Sequence, residues 1–239
     1  MNLSLKPFKA VIFDLDGTLV DSVPDISLAL NHALTGMKLP SVSEDQVRLW
    51  IGNGSRKLME RCLQADNMQV HNQPDIDGLN VSGISIIDEF HKSFLTSYKQ
   101  FLCTNSKLYP GVLELLGKLK QQNIPMGLVT NKPIEFVPKL LSLLNIDDYF
   151  ESVIGGDSLA EKKPSSMPLI YTAAQLGIDV KDCLMVGDSS SDVLSAQAAS
   201  MPCVLLRQGY NQGQDLAALK PDWLLDNIND LLIWSVAES

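Results

Sequence analysis

An apolar run early in the chain ends abruptly in two acidic residues. Ala10 to Phe13 form a continuous apolar segment, and Asp14 and Asp16 follow it directly. The apolar segment predicts a buried β-strand, and an isolated carboxylate is costly to bury inside such a strand. Because side chains alternate along an extended chain, the two acids point the same way where the strand ends. The stretch "AVIFDLDGTLVDS" therefore predicts a strand with a polar site at its carboxyl end.

Similar apolar runs recur along the chain and alternate with helical patterns. Each run is bounded by Gly, Pro, Asp or Asn, as buried parallel strands tend to be. The runs cover residues 10–15, 126–130, 152–155, 183–187, 203–207 and 222–225. Segments with apolar residues at helical spacing, such as "PGVLELLGKLKQQ", separate them from residue 110 onwards. We therefore predict an α/β fold with a Rossmann-like, doubly wound parallel sheet at its core.

Between residues 22 and 105 the alternation stops, and one helical pattern follows another. For example, Ile87, Phe90 and Phe94 share one helical face. The polar residues 66–83 predict a long loop within this segment. An all-helical insert of about 80 residues is large enough for a small domain. The predicted organisation is an α/β core of residues 1–21 and 106–239 and a helical insert of residues 22–105.

Composition and charge narrow the classes of partner. The 239 residues include 19 Lys and Arg against 28 Asp and Glu, a formal net charge of −9. Because the basic residues are scattered, neither nucleic acid nor an anionic membrane is an expected partner. The first residues lack the pattern of a secretory signal, and no stretch approaches the ~18–20 apolar residues of a transmembrane helix. The four cysteines form no Cys-x-x-Cys or zinc pattern. We expect a cytoplasmic protein, and the sequence carries no signal of its oligomeric state.

Polar residues follow several of the predicted strands. In parallel α/β sheets, ligands bind beyond the carboxyl ends of the strands, near the reversal of strand order. The residues at or near such ends are Asp14, Asp16, Thr130, Asn131, Lys163, Asp188 and Asp192. Converging carboxylates repel one another unless a cation lies among them, and Mg²⁺ prefers carboxylate and carbonyl oxygens. The sequence therefore predicts a Mg²⁺ site at this edge of the sheet.

The same edge offers groups that suit phosphate. Gly17 and Thr18 can present backbone N–H groups in a tight turn after the first strand. Thr130 and Asn131 offer a hydroxyl and an amide, and a lysine adds positive charge. The predicted ligand is a small phosphorylated metabolite.

Four ordered segments resemble the motifs of the haloacid dehalogenase superfamily: "DLDGTLVDS", "TNK", "KKP" and "VGDSSSD". The helical insert after the first strand resembles the cap domain of the phosphatase-like members. The segments "WIGNG", "VIGGDSLAEKKP" and "GYNQG" are similar to those of bacterial members that hydrolyse 2-phosphoglycolate. The resemblance implies a Mg²⁺-dependent phosphomonoester hydrolase that works through an aspartyl-phosphate, with 2-phosphoglycolate as the leading substrate.

The resemblance also implies a role for each motif residue. Asp14 corresponds to the nucleophile, and Asp16 to the general acid that later activates water. Lys163 corresponds to the lysine that neutralises the transferring phosphoryl group. The implied Mg²⁺ ligands are Asp14, the backbone carbonyl of Asp16, Asp188 and Asp192. The implied phosphate-binding residues are Gly17, Thr18, Thr130, Asn131 and Lys163.

One loop in the insert is a candidate for substrate selection. In "IGNGSRK", Gly52, Asn53 and Gly54 would suit a cap loop that faces the site. Arg56 could then meet a carboxylate of the substrate. An ordinary turn between two helices, with a solvated arginine, fits the same residues.

Some positions depart from the common family pattern, and alternative functions stay open. Ser166, Ser191 and Ser200 replace the usual Pro, Asn and Gly, and Lys162 competes with Lys163 for the lysine role. The alternatives within the superfamily are a sugar-phosphate hydrolase, a pyrophosphate hydrolase and a phosphomutase. A non-catalytic regulator that binds Mg²⁺ or phosphate is a further alternative, although Asp14 and Asp16 are both retained.

Overall fold

A six-stranded parallel sheet forms the centre of the fold. The computed structural model describes residues 8–65 and 85–236. The strands are β1 Ala10–Phe13, β2 Val20–Asp21, β3 Lys107–Leu108, β4 Met126–Val129, β5 Ser152–Ile154, β6 Cys183–Gly187, β7 Cys203–Leu206 and β8 Trp223–Leu225. The sheet has the order β5-β4-β1-β6-β7-β8, and all its neighbours are parallel. This order confirms the predicted doubly wound sheet, and each of the six predicted runs contains a strand.

The described helices form two sets. The helical segment contains α1 Val23–Gly36, α2 Glu44–Trp50, α3 Ser55–Gln64 and α4 Ile86–Phe101. The helices on the two faces of the sheet are α5 Val112–Gln121, α6 Val137–Leu143, α7 Met167–Gln175, α8 Ser190–Ala199 and α9 Ile228–Val236. Along β1, Val11 and Phe13 join the apolar cluster formed with α5, α6 and α9. Ala10 and Ile12 join the cluster formed with α7 and α8 on the other face. Strand β1 is therefore buried on both faces, as expected for a central parallel strand.

Helices α1 to α4 lie between the two short strands outside the main sheet. Strands β2 and β3 pair antiparallel, with Val20 opposite Leu108 and Asp21 opposite Lys107. Helices α1 and α4 pack together, and their buried side chains join the apolar cluster on the Val11 side of the sheet. The predicted polar loop, residues 66–83, lies outside the described residues. Within the described ranges, no helix is both long and apolar enough to cross a bilayer.

The buried Asp25 side chain joins the two ends of this helical segment. It lies in the first turn of α1 and is fully buried. Its carboxylate accepts hydrogen bonds from the backbone N–H of Asn105 (2.7 Å) and from the backbone N–H and hydroxyl of Ser106 (3.0 and 2.5 Å). The chain therefore enters and leaves the helical segment at one fixed point beside β2 and β3.

Candidate active site

Three neighbouring strands deliver polar side chains to one edge of the sheet. Asp14 follows β1, Thr130 follows β4 and Asp188 follows β6. Strand β1 lies between β4 and β6, and the strand order reverses at β1. All three residues line one cavity, which has a volume of ≈ 660 Å³ including its open mouth. The cavity therefore occupies the position at which open α/β sheets bind ligands.

The turn after β1 requires glycine at position 17. Gly17 has a φ of +93°, and its N–H donates to the carbonyl of Val20 (2.9 Å). A Cβ on Gly17 would collide with the carboxylate of Asp188 and the ring of Tyr210. The Thr18 hydroxyl donates to Asp188 Oδ1 (2.7 Å). The structure thus differs from the prediction that Gly17 presents its N–H to phosphate, since this N–H is used inside the turn. The Thr18 side chain orients Asp188, and phosphate binding by the Thr18 N–H stays a prediction.

Lys163 forms the centre of a buried charge cluster. Its Nζ donates to Asp14 Oδ1 (2.7 Å), Asp192 Oδ1 (2.6 Å) and the carbonyl of Val129 (2.6 Å). Burial alone would lower the Lys163 pKa, but the two carboxylates outweigh it and raise the pKa above its ordinary value. The competing Lys162 is exposed and donates to the carbonyl of Asn53 (3.3 Å) instead. The inner lysine of the site is therefore Lys163.

Asp192 supports the cluster from the first turn of α8. Its Oδ2 accepts from the backbone N–H of Asp188 (3.2 Å) and from the backbone N–H and hydroxyl of Ser189 (3.0 and 2.6 Å). This is a capping box, in which Ser189 is the N-cap residue. Since Lys163 occupies its other oxygen, Asp192 is better placed to hold Lys163 and the Asp188 backbone than to coordinate an ion.

The charges in this cluster leave room for a divalent cation. Asp14, Asp188 and Asp192 are buried, and each offers an oxygen within 4.8 Å of the others. Lys163 is the one cation that contacts them within the described part of the chain, so three carboxylates and one ammonium leave two negative charges. Burial raises the pKa of Asp14 to about 7 although Lys163 opposes the rise, and burial and the neighbouring Asp14 raise that of Asp188. A hard divalent ion such as Mg²⁺ fits this oxygen donor set.

Asp16 forms a separate buried ion pair with Lys132. Lys132 Nζ lies 2.8 and 2.9 Å from the two carboxylate oxygens of Asp16 and 4.8 Å from the ring centre of Tyr98 on α4. The lysine side chain is only 4% exposed. Lys132 is the last residue of the "TNK" segment, and its pairing with Asp16 is not predicted from the sequence. The spacing carries no signal of it, because Asp16 lies 116 residues away along the chain.

Thr130 and Asn131 both line the cavity, but their side chains form different hydrogen bonds. The Thr130 hydroxyl lines the cavity and accepts from the backbone N–H of Lys132 (3.2 Å), which leaves its own proton for a ligand. Asn131 Nδ2 donates to the carbonyl of Lys163 (3.0 Å), so that this amide also positions the lysine segment. Both residues lie at the cavity, as the sequence predicts, but Asn131 is partly used to hold the protein together.

The loop between α2 and α3 forms part of the cavity wall. Gly52, Gly54 and Ser55 line the cavity. Asn53 stabilises the loop, since its Oδ1 accepts from Arg61 (2.5 Å) and Gln212 (3.2 Å).

The structure does not place Arg56 at the cavity, contrary to the expectation that it meets a substrate carboxylate. The Arg56 guanidinium pairs with Asp88 and with Glu60 (3.9 Å), and its side chain is 47% exposed. These two acids hold the arginine on the outer side of α3 and α4.

The three serines that depart from the family pattern have local roles. The Ser191 hydroxyl lies 2.8 Å from that of Ser189 and 3.3 Å from the carbonyl of Gly52, and its single proton can be donated to either oxygen. This contact links α8 to the loop before α3. Ser200 takes the left-handed conformation at the end of α8, with a φ of +56°. Ser166 precedes α7 without forming a side-chain cap.

Tyr210 connects Asp188 to the start of α1. Its backbone N–H donates to Asp188 Oδ2 (2.5 Å). Its hydroxyl accepts from the backbone N–H of Ser22 (2.8 Å) and donates to Asp21 (2.8 Å). The segment "GYNQG" contains this tyrosine, and nothing in its spacing indicates the contact with Asp188.

Comparison with known proteins agrees with this geometry. Residues 11–206 match the family described as haloacid dehalogenase-like hydrolase. The chain belongs to the haloacid dehalogenase-like hydrolases. The match covers strands β1 to β7 except Ala10, the helical segment and every residue of the buried charge cluster, and β8 lies beyond it.

Individual relatives of this hydrolase carry a more specific name. A phosphoglycolate phosphatase of Colwellia psychrerythraea is 40% identical over 231 residues, which are 97% of this chain and 98% of that protein. The phosphoglycolate phosphatase of Escherichia coli K12 is 40% identical over 94% of this chain and 91% of its own length. The crystal structure of a predicted phosphoglycolate phosphatase from Haemophilus somnus has a TM-score of 0.86 at 39% identity and covers 95% of this chain and 97% of that one.

Proposed function

We propose that this hydrolase cleaves 2-phosphoglycolate to glycolate and phosphate through a phosphoryl group carried by Asp14. The observation that supports it most is the position of Asp14, which Lys163 holds in a cavity beside Asp188 and Asp16. Relatives that are 40% identical over nearly their whole length are named phosphoglycolate phosphatase. The proposed substrate is small, which suits a cavity closed on one side by α3 and α4.

The residues of the chain divide the chemistry between them. Lys163 holds Asp14 Oδ1, so Oδ2 attacks the phosphorus and the ester bond breaks. Asp16 in its protonated form gives a proton to the departing glycolate oxygen. Its carboxylate then takes a proton from the water that attacks the phosphorus, which breaks the bond between phosphorus and Asp14 Oδ2 and releases phosphate. The Thr130 hydroxyl and the Lys163 ammonium face the charge on the phosphoryl oxygens.

The residues that would hold Mg²⁺ are Asp14, Asp188 and the backbone carbonyl of Asp16. When bound, the ion supplies positive charge to the transferring phosphoryl group. Asp192 and Thr18 keep the ligands in place through Lys163 and Asp188.

We also propose that residues 22–105 form a cap over a core of residues 1–21 and 106–239. Gly52, Leu58 and Phe94 line the cavity opposite the strand ends, so the insert can exclude water from the reaction. The paired strands β2 and β3 are the natural hinge, because both crossings between the two parts run through them.

A phosphate-release panel tests the proposed function. Wild-type protein is compared on 2-phosphoglycolate, glucose 6-phosphate and pyrophosphate, each with and without Mg²⁺. We expect Mg²⁺-dependent turnover with the highest kcat/KM for 2-phosphoglycolate, and none with Asp14→Asn. A higher kcat/KM for the sugar phosphate or pyrophosphate would overturn the substrate, and full turnover by the Asp14 variant would overturn the reaction.

A further inference from the structure

Lys132 differs in its bonding from the other lysine of the cavity. Among the described residues that line the cavity, Lys132 and Lys163 carry positive charge. The three N–H groups of Lys163 are used by Asp14, Asp192 and the carbonyl of Val129. The two hydrogen bonds of Lys132 Nζ go to the Asp16 carboxylate. The Tyr98 hydroxyl also interacts with this ammonium, although it forms no hydrogen bond. An ammonium has three N–H groups, so Lys132 can bind one anionic oxygen in preference to this neutral hydroxyl.

We propose that Lys132 binds the second anion of the substrate, the carboxylate of 2-phosphoglycolate, and thereby determines specificity. This inference rests on the proposed function. Lys132 thus takes the role expected of Arg56, which pairs with Asp88 and Glu60 outside the cavity.

The position of Asp16 fixes where this anion must lie. Asp16 delivers its proton to the ester oxygen, and in 2-phosphoglycolate a single CH₂ group separates that oxygen from the carboxylate. A cation that contacts Asp16 therefore lies beside the leaving oxygen and within reach of the adjacent carboxylate. The Tyr98 ring, 4.8 Å from Lys132 Nζ, adds favourable electrostatic contact that keeps the ammonium at this place.

The helical segment contributes few partners for a charge. Gly52, Gly54 and Ser55 line the cavity, but the other side chains that the segment places there are mostly apolar, including Ile26, Ile51, Leu58 and Phe94. A substrate carboxylate against these side chains would lose its water without gaining a partner. The class of substrate is therefore a small phosphomonoester in which a single carbon separates the ester oxygen from an anionic group.

A pair of matched substrates tests this role. Ethyl phosphate replaces the carboxylate of 2-phosphoglycolate by a methyl group. For Lys132→Met, which keeps most of the side-chain volume, we expect the kcat/KM ratio of 2-phosphoglycolate to ethyl phosphate to fall about 10- to 150-fold, as loss of a charge-assisted hydrogen bond predicts. Any general loss of activity cancels in this ratio. An unchanged ratio would mean that Lys132 serves Asp16 alone and would overturn the inference.

Inhibition of the wild-type protein tests the same role and does not require that the Lys132 variant folds. 3-Phosphonopropionate has the shape of 2-phosphoglycolate, and propylphosphonate lacks its carboxylate. We expect the first to inhibit with a Ki at least about tenfold lower. Equal Ki values with a wild type that still prefers 2-phosphoglycolate would overturn the role of Lys132 and leave the proposed function standing. A wild type that prefers sugar phosphates would overturn the proposed function.

Discussion

At the scale of single residues, the site is governed by charge balance inside the protein. Lys163 is almost fully buried and touches two carboxylates and a carbonyl. Burying an ammonium in this way is stable only because its partners compensate the lost hydration. The residues proposed to bind phosphate therefore also stabilise the fold, and a change at one of them affects both.

We expect Lys163→Met to abolish turnover and to lower the free energy of unfolding by about 3–5 kcal/mol, because it leaves buried carboxylates without their cation. Urea denaturation of the metal-free protein measures the stability. The matched control is Lys162→Met, the exposed neighbour, which should change the stability by less than about 0.5 kcal/mol. Equal effects of the two variants would contradict the assignment of Lys163 as the inner lysine.

Binding of Mg²⁺ should depend on pH in a defined direction. Burial raises the pKa of Asp14 from 3.8 to about 7 in the metal-free protein. A raised folded-state pKa means that this group supports folding below about pH 4 and that its contribution is lost as the pH rises through about 7. Because Mg²⁺ must displace the protons of both Asp14 and Asp188, whose pKa is also raised, its affinity should rise with pH over the range in which these two carboxyl groups lose them. Calorimetric titrations between pH 5.5 and 8.5 check this, and a pH-independent affinity would contradict it.

At the scale of elements, the turn after β1 packs directly against Asp188 and fixes its position. Gly17 allows the turn to lie against Asp188. Tyr210, in the loop after β7, contacts the same carboxylate through its backbone N–H. A side chain at position 17 would therefore displace a proposed metal ligand. The strained φ would add a separate, local cost.

Gly17→Ala and Gly177→Ala distinguish the displacement of Asp188 by a new side chain from the backbone strain at positive φ. Both glycines have positive φ, +93° and +68°, but a Cβ on Gly177 meets nothing within 4 Å. Each variant should lose about 1–2 kcal/mol of stability from the left-handed backbone. Only Gly17→Ala should also lose Mg²⁺ affinity and at least about 100-fold in turnover, since a mispositioned ligand costs catalysis steeply. Full Mg²⁺ affinity in Gly17→Ala would show that the close approach does not matter.

The elements also show what the sequence can and cannot predict. The six strands of the sheet were predicted because buried parallel strands are nearly continuous apolar runs, and Asp14, Thr130 and Asp188 were predicted as neighbours because they follow such runs. Strands β2 and β3 were missed because two residues are too few for a pattern. The pairing of Lys132 with Asp16 and the place of Arg56 depend on tertiary packing, which local spacing does not encode.

At the scale of the whole molecule, one apolar cluster runs from the sheet into the helical segment. It includes Phe13 in β1, Leu30 in α1 and Phe90 in α4. The segment is thus fastened to the core by shared packing as well as by β2 and β3. We infer that the described helices and the sheet unfold together.

We expect Leu30→Ala to lower the stability of both parts by about 2–5 kcal/mol, because Leu30 is fully buried. Variants that retain only Trp50 in α2 or only Trp223 in β8 report the two parts by fluorescence in urea. The control Leu28→Ala, at a side chain that is 41% exposed in the same helix, should shift neither midpoint by more than about 0.5 kcal/mol. A shift seen by Trp50 alone would contradict joint unfolding.

The central claim is that Asp14 carries the phosphoryl group, and a rapid acid quench tests it most directly. Wild-type protein with Mg²⁺ is mixed with 2-phosphoglycolate labelled in its phosphate, quenched within one turnover and digested. We predict transient label on the peptide that contains Asp14, which decays as free phosphate appears and is absent from Asp14→Asn. Free phosphate formed without label on the protein, or label on another residue, would contradict the account.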